Sequence, residues 1–198
     1  MIIIETANRN LIMERVSFAK AGCPIARSLE RVGEWWSILI MRDALNGLTR
    51  FDEFQRNLGI APNMLTRRLK VLVSAGLLER RKYCEKPVRY EYVVTERGLD
   101  FRPVLWTLAV WGSKHFAPEG PSVVLVDRET GKWAKPVLID ARSGRTMTDG
   151  GYIPVTGPAA SKSLRSRYPL RSVRSGLPLE RNEEPPPGGV RYRGPAYE

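Results

Sequence analysis

The segment Pro62-Asn63-Met64-Leu65-Thr66-Arg67-Arg68-Leu69-Lys70-Val71-Leu72-Val73-Ser74-Ala75 reads as a helix opened by proline at its first position. On a helical wheel Leu65, Leu69, Leu72 and Val73 cluster within roughly 100° of arc, which marks a buried stripe. Asn63, Arg67, Lys70 and Ser74 fall opposite, with Thr66 at the edge of that face. A helix buried on one side and offering hydrogen-bonding and cationic side chains on the other can sit in a DNA major groove, although a charged helix face is often only a solvated one.

Upstream, Phe51, Phe54 and Leu58 recur at helical spacing until Gly59, and Thr49-Arg50-Phe51-Asp52 has the form of a capping box with Asp in the Glu position. Two short helices joined by a glycine-containing turn make a helix-turn-helix. Downstream, Leu78 to Tyr83 and Arg89 to Val94 read as strands around Cys84-Glu85-Lys86-Pro87, with Tyr90, Tyr92 and Val94 alternating onto one face. The expected product is a β-hairpin wing. Between Arg67 and Arg89 stand Arg67, Arg68, Lys70, Arg80, Arg81, Lys82, Lys86 and Arg89 against Glu79 and Glu85. The candidate DNA contacts are Asn63, Thr66, Arg67, Arg68 and Lys70 on the helix, and Arg81, Lys82, Lys86 and Arg89 on the wing.

Toward the amino terminus, Cys23-Pro24 begins a helix that Gly33 breaks, and Trp35 to Leu45 is apolar on almost every side, as expected of a central helix ending at Asn46-Gly47. After the hairpin, Thr95-Glu96 opens a last helix carrying Phe101, Val104, Leu105, Leu108 and Trp111, with a kink expected at Pro103. That stripe is the expected homodimer interface, the alternative being packing against the helix of Trp35 and Trp36.

The whole chain of 198 residues carries 32 Lys and Arg against 21 Asp and Glu, a net charge of +11 that suits a polyanionic partner. The excess is uneven. It is +7 in residues 1–117, zero in 118–160 (5 basic, 5 acidic), and +4 in 161–198. These pieces and the motifs suggest an N-terminal arm (1–22), a winged helix-turn-helix domain (23–117), a small β-rich accessory segment (118–160) and a basic, Pro/Gly-rich tail expected to lack fixed structure (161–198). The fold class is therefore mainly α with a β-hairpin wing. Within 118–160, Val124-Leu125-Val126-Asp127-Arg128-Glu129-Thr130-Gly131 is echoed 13 residues later by Val137-Leu138-Ile139-Asp140-Ala141-Arg142-Ser143-Gly144. Each copy reads as a strand running into an Asp-initiated turn.

Several functions lose support. One His and two Cys cannot complete a four-ligand zinc site, so neither a metal nor a cofactor is expected. No Gly-rich phosphate loop occurs, and no acid pair stands in a catalytic context, so no enzyme activity is expected. No run of 18 apolar residues marks a membrane span and no signal peptide is evident, which points to a cytoplasmic protein. A basic RNA-binding or ribosome-associated protein remains the alternative. It leaves the wing unexplained and lacks an aromatic base-stacking platform.

The motifs Cys23-Pro24-Ile25-Ala26-Arg27-Ser28-Leu29-Glu30, Gly33-Glu34-Trp35-Trp36, Arg50-Phe51-Asp52-Glu53-Phe54, Ala61-Pro62-Asn63-Met64-Leu65-Thr66-Arg67-Arg68-Leu69, Gly76-Leu77-Leu78-Glu79-Arg80, Tyr90-Glu91-Tyr92 and Thr95-Glu96-Arg97-Gly98 together resemble an HxlR-type winged helix-turn-helix regulator, from about Ser17 to Gly112. The resemblance implies a homodimeric bacterial transcription factor on a palindromic double-stranded DNA operator, with Pro62–Ala75 as recognition helix and Lys82–Arg89 as wing. It implies no enzyme activity. The resemblance also implies a redox or electrophile sensor at Cys23, where a helix N-cap and nearby Lys20 and Arg27 favour a thiolate, the alternative being a small packed apolar residue. The second cysteine of such switches is replaced here by the Lys114-His115-Phe116-Ala117 region. Some relatives place Cys at the turns of a similar extension in the manner of a zinc ribbon. Thr130 and Ser143 stand at these turns here, and their hydroxyls do not hold zinc. The family start falls near Met13, leaving Met1 and Met13 both open as start sites. Operator, effector (redox or small-molecule) and direction of regulation are not encoded in any motif.

Overall fold

In the computed structural model, residues 17–147, 151–157, 159–162 and 165 are described. Residues 1–16 of the arm expected at 1–22, and all but Ser161, Lys162 and Arg165 of the tail expected at 161–198, lie outside them. The described residues divide into two units, the first ending at Tyr152 and the second beginning at Ile153.

The first helix, α1 (Pro24–Val32), takes Cys23 as N-cap and ends at Gly33, which donates to the Leu29 carbonyl. Glu30 accepts from the Ser17 hydroxyl and the Phe18 amide, fastening the preceding segment onto α1. The central helix α2 (Trp35–Leu45) buries Ser37, Ile40, Met41, Asp43 and Ala44, while Trp35 points out to solvent.

The helix-turn-helix is formed by α3 (Phe51–Leu58) and α4 (Pro62–Ser74), with Gly59 in the left-handed region between them (φ 62°). Glu53, not Asp52, closes the α3 N-terminus: its carboxylate accepts from the amides of Arg50 (2.9 Å) and Thr49 (3.1 Å). The cap is therefore Arg50, one residue later than the sequence suggests, and Asp52 is left to pair with Arg56 one turn on. Leu65, Leu69 and Leu72 of α4 meet Ile40, Met41 and Phe54 in the core, all with no exposed surface. Each such side chain contributes on the order of 1.5–3 kcal/mol of transfer free energy.

Two antiparallel strands follow, β1 (Leu78–Glu85) and β2 (Val88–Val94), in register from Leu78↔Val94 to Glu85↔Val88. They extend further than expected: Cys84 and Glu85 belong to β1, and the turn contracts to Lys86-Pro87. An irregularity between Lys82 and Cys84 leaves Tyr83 outside the ladder. Tyr92 and Val94 pack against the core, and the Tyr92 amide donates to the Thr49 carbonyl at 2.7 Å, so the entry to α3 is bonded to the wing.

The chain beyond the wing is broken where a kink was expected. A short α5 (Glu96–Leu99) stops at Asp100, and α6 (Arg102–Phe116) begins afresh. Pro103 has no amide to give to the carbonyl of Leu99, and its ring disfavours continuing the helix through it, so it is accommodated in the first turn of a new one. Within 121–147 both quasi-repeats form hairpin-like turns, bridged at Val126↔Trp133 and Ile139↔Thr146. In the second unit, the Ala160 amide closes a turn on the Gly157 carbonyl.

Candidate nucleic-acid interface

Burial of Leu65, Leu69 and Leu72 fixes the rotation of α4 and turns Asn63, Thr66, Arg67 and Lys70 to solvent, as the wheel anticipates. At rest these groups are held locally. The Asn63 side-chain oxygen accepts from the Met64 amide, the Thr66 hydroxyl donates to the Pro62 carbonyl at 2.8 Å, and an Arg67 Nη lies 3.3 Å from the Met64 sulfur.

Arg68 departs from expectation. It is 5% exposed, with an Nη 2.9 Å from a carboxylate oxygen of Glu34, the N-cap of α2, and it is not on the solvent face. The physical reason is positional: Arg68 stands three residues after Leu65 and four before Leu72, on the edge of the buried stripe. Its spacing was the available signal, and its charge obscured it. Arg68 is removed from the surface contact set.

The wing adds Arg81, Lys82, Lys86 and Arg89, all exposed. Arg81 pairs with Glu79 and Lys82 with Glu85, each at 2.9 Å. The Arg81 hydrogen bond and charge hold the Glu79 carboxyl below the usual carboxylate range, and Glu79 in turn raises Arg81. Exposed pairs of this kind contribute little, because water and salt screen them, so either cation can exchange its carboxylate for a phosphate at little cost. Two further arginines lie on aromatic rings: Arg80 is 3.4 Å from the Tyr90 ring centre, and Arg50 is 5.0 Å from that of Tyr83. The sequence places Arg50 only at a helix start. Its bridge to Glu91 brings it to the wing.

Helix and wing are joined by a compact hinge. Gly76 takes φ 70°, which a side chain would strain. The Thr95 hydroxyl bonds to the Gly76 carbonyl at 2.6 Å and accepts from the Gly98 amide at 3.1 Å, and Arg97 reaches the Ala75 carbonyl at 2.9 Å. Gly98 is buried where a Cβ would collide with the Leu77 carbonyl and the Val94 side chain. Distance and angle between the two cationic surfaces are therefore set by packed backbone.

The stripe on α6 divides. Phe101 and Leu105 pack against the core, whereas Val104, Leu108 and Trp111 remain open, Trp111 at 51%. The Trp111 ring stacks edgewise on Phe116, 5.0 Å between centres. Cys23 and Cys84 are both free and half-buried, one at the α1 N-cap and the other in β1. Among the described residues no group of three or more His, Cys, Asp or Glu is arranged to hold a metal, and no helix is long and apolar enough to cross a membrane.

A helix-turn-helix whose second helix exposes a polar and cationic face beside a basic two-stranded wing defines the winged helix-turn-helix class. The chain belongs to the HxlR-like helix-turn-helix family, whose sequence model matches residues 31–120. It is 39% identical over 146 residues to the uncharacterised HTH-type transcriptional regulator Rv3095 of Mycobacterium tuberculosis, covering 73% of this chain and 92% of that one. Two solved structures described as candidate transcription factors are also similar. PA1374 of Pseudomonas aeruginosa is 58% identical, with a TM-score of 0.54 over 73% of this chain and 99% of its own. PA1607 is 36% identical, with a TM-score of 0.65 over 72% and 100%.

Proposed function

We propose that this regulator is a non-enzymatic homodimer that binds a double-stranded DNA operator in the cytoplasm. In this reading α4 enters the major groove and the wing lies on the backbone. The observation that carries it is the pairing of surfaces: Asn63, Thr66, Arg67 and Lys70 are exposed on a helix whose opposite face buries Leu65, Leu69 and Leu72, next to exposed Arg81, Lys82, Lys86 and Arg89. The helix side chains match groups that read base edges, and the wing cations match phosphates. Arg50 and Arg80, oriented by tyrosine rings, extend the phosphate-binding surface. The open side chains Val104, Leu108 and Trp111 support a twofold partner, as two half-sites require. The test is fluorescence anisotropy with duplex DNA and structured RNA at matched salt. Tighter binding to a selected duplex supports the reading, and preference for RNA or indifference to salt overturns it.

A further inference from the structure

The two turns of residues 121–147 repeat in their bonds as well as in sequence. In the first, Asp127 N donates to the Lys132 carbonyl, Gly131 N to Asp127, and Ala134 N to Leu125. Thirteen residues on, Asp140 N donates to Arg145, Gly144 N to Asp140, and Met147 N to Leu138. Gly131 and Gly144 take φ 66° and 68°. Each Asp side chain caps its own turn, Asp127 through Thr130 and Asp140 through Ser143.

Between these well-bonded turns, no residue of 121–147 is buried. Val126, Val137, Leu138, Ile139 and above all Trp133, at 73%, present apolar side chains to solvent. Isolated hairpins are marginal in water, and an apolar surface of this kind marks an interaction site. We infer that the twin hairpins are an arm that covers the open face of α6 on a second copy of this chain. The inference rests on the dimeric reading above.

Two observations select that occupant. The open side chains of α6 are unlike a finished interface: the helix has 15 residues in all, whereas a stable interface takes about 20–30 residues a side. The arm begins within a few residues of Phe116, the last residue of α6, so a twofold pairing of α6 helices brings each arm near the partner's helix.

The experiment places the photo-crosslinker p-benzoylphenylalanine at position 133 of the full chain and mixes isotopically light and heavy protein. Mass spectrometry of the crosslinked peptides is expected to find light-to-heavy links ending on α6. In parallel, sedimentation is expected to show Trp133→Glu and Ile139→Glu weakening the dimer roughly tenfold or more, with helical circular dichroism retained. Links confined to one chain, or a dimer constant unchanged in both variants, overturn the arm and leave the dimer standing. A parent protein that sediments as a monomer at tens of micromolar overturns the dimeric reading itself.

Discussion

An Nη of Arg68 lies 2.9 Å from a Glu34 carboxylate oxygen, tying the middle of α4 to the first residue ahead of α2. The guanidinium is almost wholly buried, its Nε has no hydrogen-bond partner among the described residues, and Glu34 keeps one side in solvent. The pair therefore orients α4 and contributes little net stability, because desolvating the arginine offsets much of the attraction.

Removing only the acid should be worse than removing the base. Glu34→Gln strands a buried cation and should destabilise the fold by less than the roughly 3–5 kcal/mol typical of fully buried pairs, since Glu34 is partly solvated. Arg68→Met replaces the cation with an apolar chain of similar length and should cost less than Glu34→Gln. Urea denaturation of both variants decides the order. Sequence preference on DNA should survive Arg68→Met, which a base-contacting arginine would not allow.

Arg67 and Lys86 should separate readout from attraction. Arg67→Ala is expected to lose about 1–3 kcal/mol at the cognate site and little on random duplex. Lys86→Ala should weaken both alike. If each protomer engages roughly four phosphates, log K should fall against log salt with a slope near −7, from about 0.9 per phosphate on duplex DNA, and Lys86→Ala, which removes one contact from each protomer, should flatten it by about 2. Titrations across a salt series measure all three quantities.

Gly98 is a packing requirement that its type only hints at. A methyl group there meets the Leu77 carbonyl and Val94, so Gly98→Ala should destabilise by about 1–3 kcal/mol through overpacking. Because the same contacts hold the wing to α4, DNA affinity should fall further than the loss of folded protein explains. Thermal unfolding and anisotropy on the same samples give the comparison.

The parts of this molecule set by local rules were legible in the sequence. The leucine stripe of α4 carries its period openly, Cys23-Pro24 marks a helix start, and the repeat of Asp127 and Asp140 announces two alike turns. What escaped depends on neighbours distant in sequence. Arg68 is charged and looks like surface until Glu34 is placed against it. Arg50 reads as a local cap until the bridge to Glu91 brings it to the wing. On α6 and its N-cap, periodicity finds Phe101, Val104, Leu105, Leu108 and Trp111 together, but only packing against the assembled core decides that Phe101 and Leu105 turn inward. The α5–α6 break was half visible: Pro103 predicts a disturbance, and the choice between kink and interruption lies in the tertiary structure.

The acid dependence of the twin turns follows from their side-chain bonds. Asp127 is held below the ordinary carboxylate range chiefly by the Thr130 amide and hydroxyl, and Asp140 chiefly by the Ser143 hydroxyl, with the Arg142 amide and the Tyr152 hydroxyl assisting. A carboxyl depressed in the folded turn favours that turn fully above its unfolded value of about 3.9, and the contribution disappears as pH falls through the lower folded value. The turns should therefore be indifferent to pH from neutrality to about 5 and loosen only in stronger acid. An NMR titration of the Gly131 and Gly144 amides is expected to show midpoints below that of an unstructured aspartate. Thr130→Val, which removes the hydroxyl but keeps the shape and the backbone amide, should shift the Gly131 midpoint upward while leaving Gly144 where it was. Ser143→Ala should do the reverse. Equal midpoints in parent and variants would show that the hydroxyls do not hold the carboxylates.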